Sequence, residues 1–154
     1  MKILVMSDTH GNLDNIRKVI ENNKDIKNIF HLGDGKADID LIKEEYKDKT
    51  FFRVCGNCDS CTTEPVVLNA TIEGKRFLLT HGHRFYVKEN LDLLVAEAKK
   101  ENAGVALFGH THKPINKEID GIIVFNPGSL EKKEGSYGII TVSKDDLKLE
   151  HFKS

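Results

Sequence analysis

Histidine, aspartate and asparagine recur at five points of this chain, each in a short cluster: Asp8-Thr9-His10, Gly33-Asp34, Gly56-Asn57, His81-Gly82 and Gly109-His110-Thr111-His112. Imidazole and carboxylate are the side chains that hold borderline divalent metals such as manganese, iron, nickel and zinc. Every cluster directly follows an apolar run that reads as a strand, and in open α/β sheets sites form just outside the carboxyl ends of the strands. In Asp8-x-His10 and His110-x-His112 an extended backbone would turn both members of a pair to one face. Asp8, His10, Asp34, Asn57, His81, His110 and His112 can therefore reach one cavity. Seven such side chains are too many for one tetrahedral ion and suit two ions that share a carboxylate. Ions about 3.5–4 Å apart clamp the attacking and leaving oxygens of a phosphoryl displacement. About four positive charges, less two Asp and a bridging hydroxide, leave such a site cationic toward phosphate. Asn57 adds an oxygen without altering that balance. A metal-dependent enzyme is the leading reading.

The clusters differ in weight. A lone Asp-x-His is ordinarily a loop, and a lone Gly-Asp says little. Gly109-His110-Thr111-His112 is stronger, because two histidines after an apolar strand have little structural use. His31 and His151 lie inside strand-like runs and read as structural. His83 follows His81 at i+2 and reads as lining the pocket rather than as a ligand. Cys55, Cys58 and Cys61 share the spacing that opens an iron–sulfur run. The fourth cysteine is missing, since Glu64 stands before Pro65. An odd count and a cytosolic setting disfavour a disulfide. The simplest assignment gives Cys55 to a buried strand end, Cys58 to a site loop and Cys61 to that loop's exit.

The elements that must position these residues come in two halves. Lys2–Met6, Ile26–His31 and Thr50–Cys55 read as buried strands. Between them, a helix capped by Asn12 carries Leu13, Ile16, Val19 and Ile20 on one stripe, and a shorter helix spans Asp38–Lys47. These are βαβ units and imply a parallel sheet. After Cys61, Val66–Ile72 and Lys75–Thr80 flank Glu73-Gly74, a hairpin signal. A helix over Glu89–Asn102 and a strand over Val105–Phe108 follow. Ile115–Ile119, Ile122–Phe125, Tyr137–Val142 and Leu147–Phe152 read as further strands, expected antiparallel. The expected architecture is α/β, two mixed sheets packed face to face with helices outside, in a single domain over residues 1–154.

Composition narrows the function classes. With 23 basic and 24 acidic residues the net charge is -1, so no nucleic-acid footprint shows. No apolar run approaches the roughly 20 residues of a membrane span. Met1–Met6 is too short for a signal peptide before Asp8, and a cytoplasmic location is expected.

The order of motifs resembles the calcineurin-like metallophosphoesterase superfamily. The small phosphodiesterases of the YfcE type look closest, through Ser7-Asp8-Thr9-His10-Gly11-Asn12, Gly56-Asn57-Cys58-Asp59 and Asn126-Pro127-Gly128-Ser129. The resemblance spans nearly the whole chain. It implies an αββα sandwich and a binuclear centre hydrolysing a small phosphodiester through a metal-bridging hydroxide. It also implies two divalent ions per chain, with manganese ahead of nickel, iron and zinc. One ion would take Asp8, His10, Asp34 and His112; the other would take Asp34, Asn57, His81 and His110, with Asp34 bridging. One position departs from the pattern. Much of the superfamily carries His after Gly-Asn, to protonate the leaving oxygen or hold the phosphoryl group, and here that residue is Cys58. A thiol with a reference pKa of about 8.5 is mostly protonated at neutral pH and is a weak hydrogen-bond donor. Asp59 is expected to assist through water, which makes Cys58 and Asp59 the candidate catalytic pair. No inserted cap is evident, so an open, shallow pocket is expected, and homo-oligomers stay open. Two other classes remain: a non-catalytic protein-interaction scaffold, as in the retromer subunit of this fold, and a redox or iron–sulfur protein built on the cysteines.

Overall fold

The computed structural model describes residues 1–60 and 63–154. The first sheet contains β1 (Lys2–Met6), β2 (Asn28–His31), β3 (Thr50–Arg53), β9 (Ser136–Val142) and β10 (Leu147–Lys153), in the order β10-β9-β1-β2-β3. The second contains β4 (Val67–Ile72), β5 (Lys75–Thr80), β6 (Val105–Leu107), β7 (Ile115–Ile119) and β8 (Ile122–Asn126), in the order β4-β5-β6-β8-β7. Three helices cover the outer faces: α1 (Leu13–Asn22), α2 (Lys36–Glu45) and α3 (Asp92–Lys100).

The alternation of side chains along each strand explains the layers. Ile3 and Val5 of β1 face inward with Phe30, Phe77, Leu79, Val105, Leu107 and Phe125, forming the core between the sheets. Leu4 and Met6 point the other way, onto Ile16, Val19 and Ile20 of α1 and Ile39 and Ile42 of α2. Leu78, Ala106 and Val124 pack outward against Leu94, Val95 and Ala98 of α3. The strands read as unbroken apolar runs because both their faces are covered. Each fully buried Ile, Leu or Phe contributes about 1.5–3 kcal/mol. The result is the expected four-layer αββα sandwich.

Three expectations need correction. β8 is antiparallel to β7 but parallel to β6, so the late strands are not all antiparallel. Helix α2 begins at Lys36, two residues before the expected Asp38, because a carboxylate distant in sequence caps it (below). Helix α3 begins at Asp92 rather than Glu89, where Asn90 Oδ1 accepts the Asp92 N–H at 3.0 Å. Elsewhere the local chemistry behaves as read. Asn12 caps α1 by accepting the Asn15 N–H at 3.1 Å. Glu73 and Gly74 turn the β4–β5 hairpin at φ 51° and 75°, the signature of a type I′ turn. Among the described residues no helix is long and apolar enough to cross a membrane.

Strands β1, β2 and β3 run parallel, as do β5, β6 and β8. Their carboxyl ends therefore open on one edge of the sandwich, and the loops leaving them are laced together. Asp8 N–H donates to Gly33 O at 3.0 Å, Thr9 N–H to Asp34 O at 3.0 Å, and Gly109 N–H to His81 O at 3.1 Å.

Candidate metal centre

All seven expected ligands lie on these loops, and five of them are not on extended backbone. Asp8, His10, Asp34, His110 and His112 have φ between 41° and 65°. The i, i+2 argument from extended segments is therefore replaced by a different one. Left-handed turns, which Asp, Asn and His tolerate better than other non-glycine residues, bend each loop back over its strand end. Glycine is required nearby for a separate reason: a Cβ on Gly56 would run into Asp34 Oδ1, and one on Gly109 into Ser7 Oγ.

The turns bring oxygen and nitrogen lone pairs together. Asp8 Oδ1 is buried and has no hydrogen-bond partner among the described residues. It faces His112 Nε2 at 3.2 Å, His10 Nε2 at 3.8 Å and His81 Nε2 at 3.9 Å. Asp34 Oδ2 stands between His81 Nε2 at 3.3 Å and His10 Nε2 at 3.7 Å. His81 Nε2 also meets Asn57 Oδ1 at 3.0 Å and His110 Nδ1 at 3.2 Å. Ligand atoms of Asp8, His10 and His112 lie within 4.8 Å of one another, and so do those of Asp34, His81 and His110. These two sets share no residue; a third group, His10, Asp34 and Cys58, links them, and Asn57 meets the second through His81 Nε2.

Hydrogen bonding fixes what these atoms can do. His81 Nδ1 lies 2.7 Å from Leu32 O, which only an N–H can satisfy, so Nε2 of the neutral ring presents a lone pair. Asp8 Oδ2 is held by the Ser7 hydroxyl at 2.6 Å and the His110 N–H at 3.0 Å, which leaves Oδ1 alone pointing inward. Acceptors crowd acceptors here, an arrangement that a cation resolves.

Titration behaviour follows the same geometry. Burial drives the Asp8 carboxyl above its ordinary value despite His81 and Ser7. Burial would also raise Asp34, but His81, when its ring is protonated, and the Cys58 N–H hold it well below the usual carboxylate range. Burial opposes charge on His81, yet Asp34 and Asp8 together hold its pKa up. Burial, helped by repulsion from His81 and Lys88, pushes His110 down to about 4. The donor set and the open Oδ1 fit divalent ions with mixed nitrogen and oxygen ligation.

The two residues expected to handle protons fare differently. Burial and then Asp34 push the exposed Cys58 thiol above its ordinary value, so it stays protonated beside the cluster. Its backbone N–H holds Asp34 Oδ1 at 2.8 Å. Asp59 is a correction. Its carboxylate accepts four backbone N–H groups: Gly35 and Lys36 on Oδ1, both at 2.9 Å, and Asp34 and Gly56 on Oδ2, at 2.8 and 2.9 Å. Against the cost of burial these bonds keep it ionised. It clamps the Asp34 turn to the Gly56 turn and caps α2, with no lone pair left to assist a proton.

Other braces hold the same loops. Asp38 Oδ2 accepts the Thr9 hydroxyl at 2.6 Å and the Gly11 N–H at 2.9 Å, which fixes the Asp8–His10 turn. Asn126 Nδ2 donates to Gly109 O at 2.8 Å and Thr111 Oγ1 at 3.1 Å, under the His110–His112 turn. Ser129 Oγ donates to Asp8 O at 2.8 Å. The Asn126-Pro127-Gly128-Ser129 motif signalled these last two; nothing signalled Asp38. His31 and His151 are structural as expected, on Thr9 and on Asn126 O. Among the cysteines, Cys55 is half-buried and disulfide-bonded, which corrects the expectation of a buried free thiol there and removes it as a cluster ligand. Cys58 is free. Cys61 lies outside the described residues.

Comparison with known proteins places this geometry. The calcineurin-like phosphoesterase superfamily domain matches residues 1–145. A phosphodiesterase of Methanocaldococcus jannaschii is 32% identical over 145 residues, covering 83% of each chain. The phosphodiesterase YfcE of Escherichia coli is 30% identical over 168 aligned positions, covering 91% of this chain and 87% of that one. Vps29 of Chaetomium thermophilum shares the fold, with a TM-score of 0.85 at 24% identity over 99% of this chain and 88% of that one.

Proposed function

Because the chain belongs to the calcineurin-like phosphoesterase superfamily, we propose that it hydrolyses small phosphodiesters with two divalent ions. Asp8, His10, Asp34 and His112 would hold one ion, and Asp34, Asn57, His81 and His110 the other. The observation that carries this reading is the buried, unpartnered Asp8 Oδ1 in a cluster of inward-facing lone pairs with Asp34 at its centre. Such an arrangement costs stability until a cation fills it, which supports metal binding. When bound, the ions would polarise the phosphoryl group and acidify the attacking water.

The chain's own residues do the rest. Leu32 O fixes the His81 tautomer, and the Cys58 N–H and Asp59 fix the bridging carboxylate. The Cys58 thiol, held protonated, stands where it can donate weakly to an ester oxygen. Beyond His112 a groove of about 210 Å³, lined by Ser129, Glu131, Lys132 and Lys153 among others, offers room for one ester arm. That volume lies below the roughly 300 Å³ at which sites for drug-sized ligands begin, so a small, polar arm is favoured.

Metal analysis of the purified protein, with hydrolysis of bis-p-nitrophenyl phosphate before and after chelation, tests the reading. About two ions per chain and activity lost with them are expected. Full activity after confirmed metal removal would overturn it.

A further inference from the structure

His83 belongs to none of the roles above. It begins a short 3-10 turn, His83–Phe85, immediately after the His81-Gly82 pair. Its ring centroid lies 5.5 Å from that of His81 and 6.1 Å from that of His110. It therefore flanks the lone-pair cluster without joining either ligand set. Its Nδ1 is buried with no hydrogen-bond partner among the described residues, although the residue as a whole is only half-buried.

That asymmetry selects a tautomer. Orphaned buried donors are rarer than under-satisfied buried acceptors, so the proton of the neutral ring belongs on Nε2, the nitrogen left for the open side of the ring. The surroundings have the complementary need. With Asp8, Asp34, Asn57, His81 and His110 turned to the ions, a phosphate ester held there brings acceptors that need a donor. Cys58 supplies only a weak donor. Exposed Arg84 lies on the same 3-10 turn as His83, and exposed Lys88, beyond that turn, is near enough to His110 to interact with its charge.

We propose that His83 is a substrate-contacting residue, whose Nε2–H donates to a phosphoryl oxygen beside the His81–His110 half of the centre. Arg84 and Lys88 supply the positive rim that draws the anion there. The assignment rests on the phosphoesterase reading for its substrate, but not for its measurement.

The test compares wild type with His83→Ala, His83→Gln and His83→Asn, all full-length and metal-loaded, with metal content and melting temperature checked first. A glutamine amide reaches about where Nε2 sits; an asparagine amide reaches only about where Nδ1 sits. Calorimetric titration with inorganic phosphate and kinetics on bis-p-nitrophenyl phosphate are then read together. His83→Ala should bind phosphate about tenfold more weakly. It should also lose about 10²-fold in kcat/KM, the scale of one oxyanion donor, with two ions retained. His83→Gln should recover at least about tenfold of that loss, and His83→Asn should not. Unchanged phosphate affinity in His83→Ala would overturn the assignment. Equal losses in the Gln and Asn variants, or a loss that tracks departing metal, would overturn it too, by making His83 a prop for His81. If the wild type hydrolyses no phosphodiester, the phosphoesterase reading fails by itself, and the phosphate titration still judges His83.

Discussion

Asp59→Asn tests how the metal loops are held. The change is nearly isosteric, but it turns one acceptor oxygen into an amide NH2. Each carboxylate oxygen accepts two backbone N–H groups, from Gly35 and Lys36 or from Asp34 and Gly56. In either amide orientation two N–H groups lose their acceptor and face a donor, and the other two exchange a charged acceptor for a neutral one. Hydrogen bonds to charged groups contribute about 1.5–3 kcal/mol each. Allowing for loop relaxation and for solvent at a half-buried side chain, the net cost is roughly 3 kcal/mol. At about 2–4 °C per kcal/mol for a chain of this size, metal-free protein should melt about 6–12 °C lower. Asp14→Asn removes an exposed i,i+3 pair with Arg17 and should leave the melting temperature nearly unchanged. Because the Asp59 pKa is depressed on folding, its contribution is present above the unfolded value of about 3.9 and is lost as pH falls through the folded value. The penalty in Asp59→Asn should therefore shrink below about pH 4. Since one clamped N–H belongs to Asp34, affinity for the second ion should drop about tenfold. An Asp59→Asn protein that melts within about 1 °C of wild type at pH 7, with metal affinity intact, would refute the clamp.

Asp34→Asn should lower occupancy at both ion positions, because Asp34 Oδ2 stands between His10 and His81; two ions per chain and full turnover in that variant would sink the bridging assignment. Chelation should abolish hydrolysis, and manganese, iron, nickel or zinc should restore it better than calcium, which prefers all-oxygen ligands. Cys58→Ala should keep both ions and lose less than about tenfold in rate, well short of the 10²–10⁴ of a full general acid. The loss should grow with leaving-group pKa across aryl phosphodiesters, and equal losses on good and poor leaving groups would remove any proton-donor role. His31, pushed down to about 4 by burial, favours the neutral folded form. Its contribution is whole above the unfolded value of about 6.5 and is lost as pH falls toward 4. Melts of wild type against His31→Gln should therefore show roughly 3 kcal/mol of acid destabilisation that the variant lacks.

The layers and the site were legible in the sequence to different degrees, for physical reasons. Strands such as β1 covered on both faces gave unbroken apolar runs, and Asn12 and Glu73-Gly74 carried local turn chemistry, so those elements were placed from sequence. The pairing of β8 with β6 was not legible, because strand direction depends on which neighbour is met across the sheet. The start of α2 was missed because its cap, Asp59, stands 23 residues beyond Lys36. The residues named as candidate ligands do lie together, yet for a different local reason from the one expected. Spacing suggested extended pairs, whereas the loops use left-handed turns that spacing alone does not encode.

That difference bears on which carboxylates can serve a metal. Asp8, Asp34, Asp38 and Asp59 all lie near the centre, and their sequence settings singled out Asp8 and Asp34 without saying why the other two differ. Their hydrogen bonds do. Asp59 has both oxygens saturated by N–H groups, and Asp38 spends Oδ2 on Thr9 and Gly11. Asp8 and Asp34 each commit one oxygen to N–H donors and leave the other facing imidazoles. A carboxylate spent on hydrogen bonds away from the imidazoles is a brace, and one that holds an oxygen back toward them is a ligand in waiting. The strained turns need both kinds. Each left-handed non-glycine residue costs of order 1–3 kcal/mol, and five of them carry proposed ligands. The braces hold that strain in place, so the candidate centre is shaped by the fold itself. Removing a ligand should therefore cost metal and activity, whereas removing a brace should cost stability first.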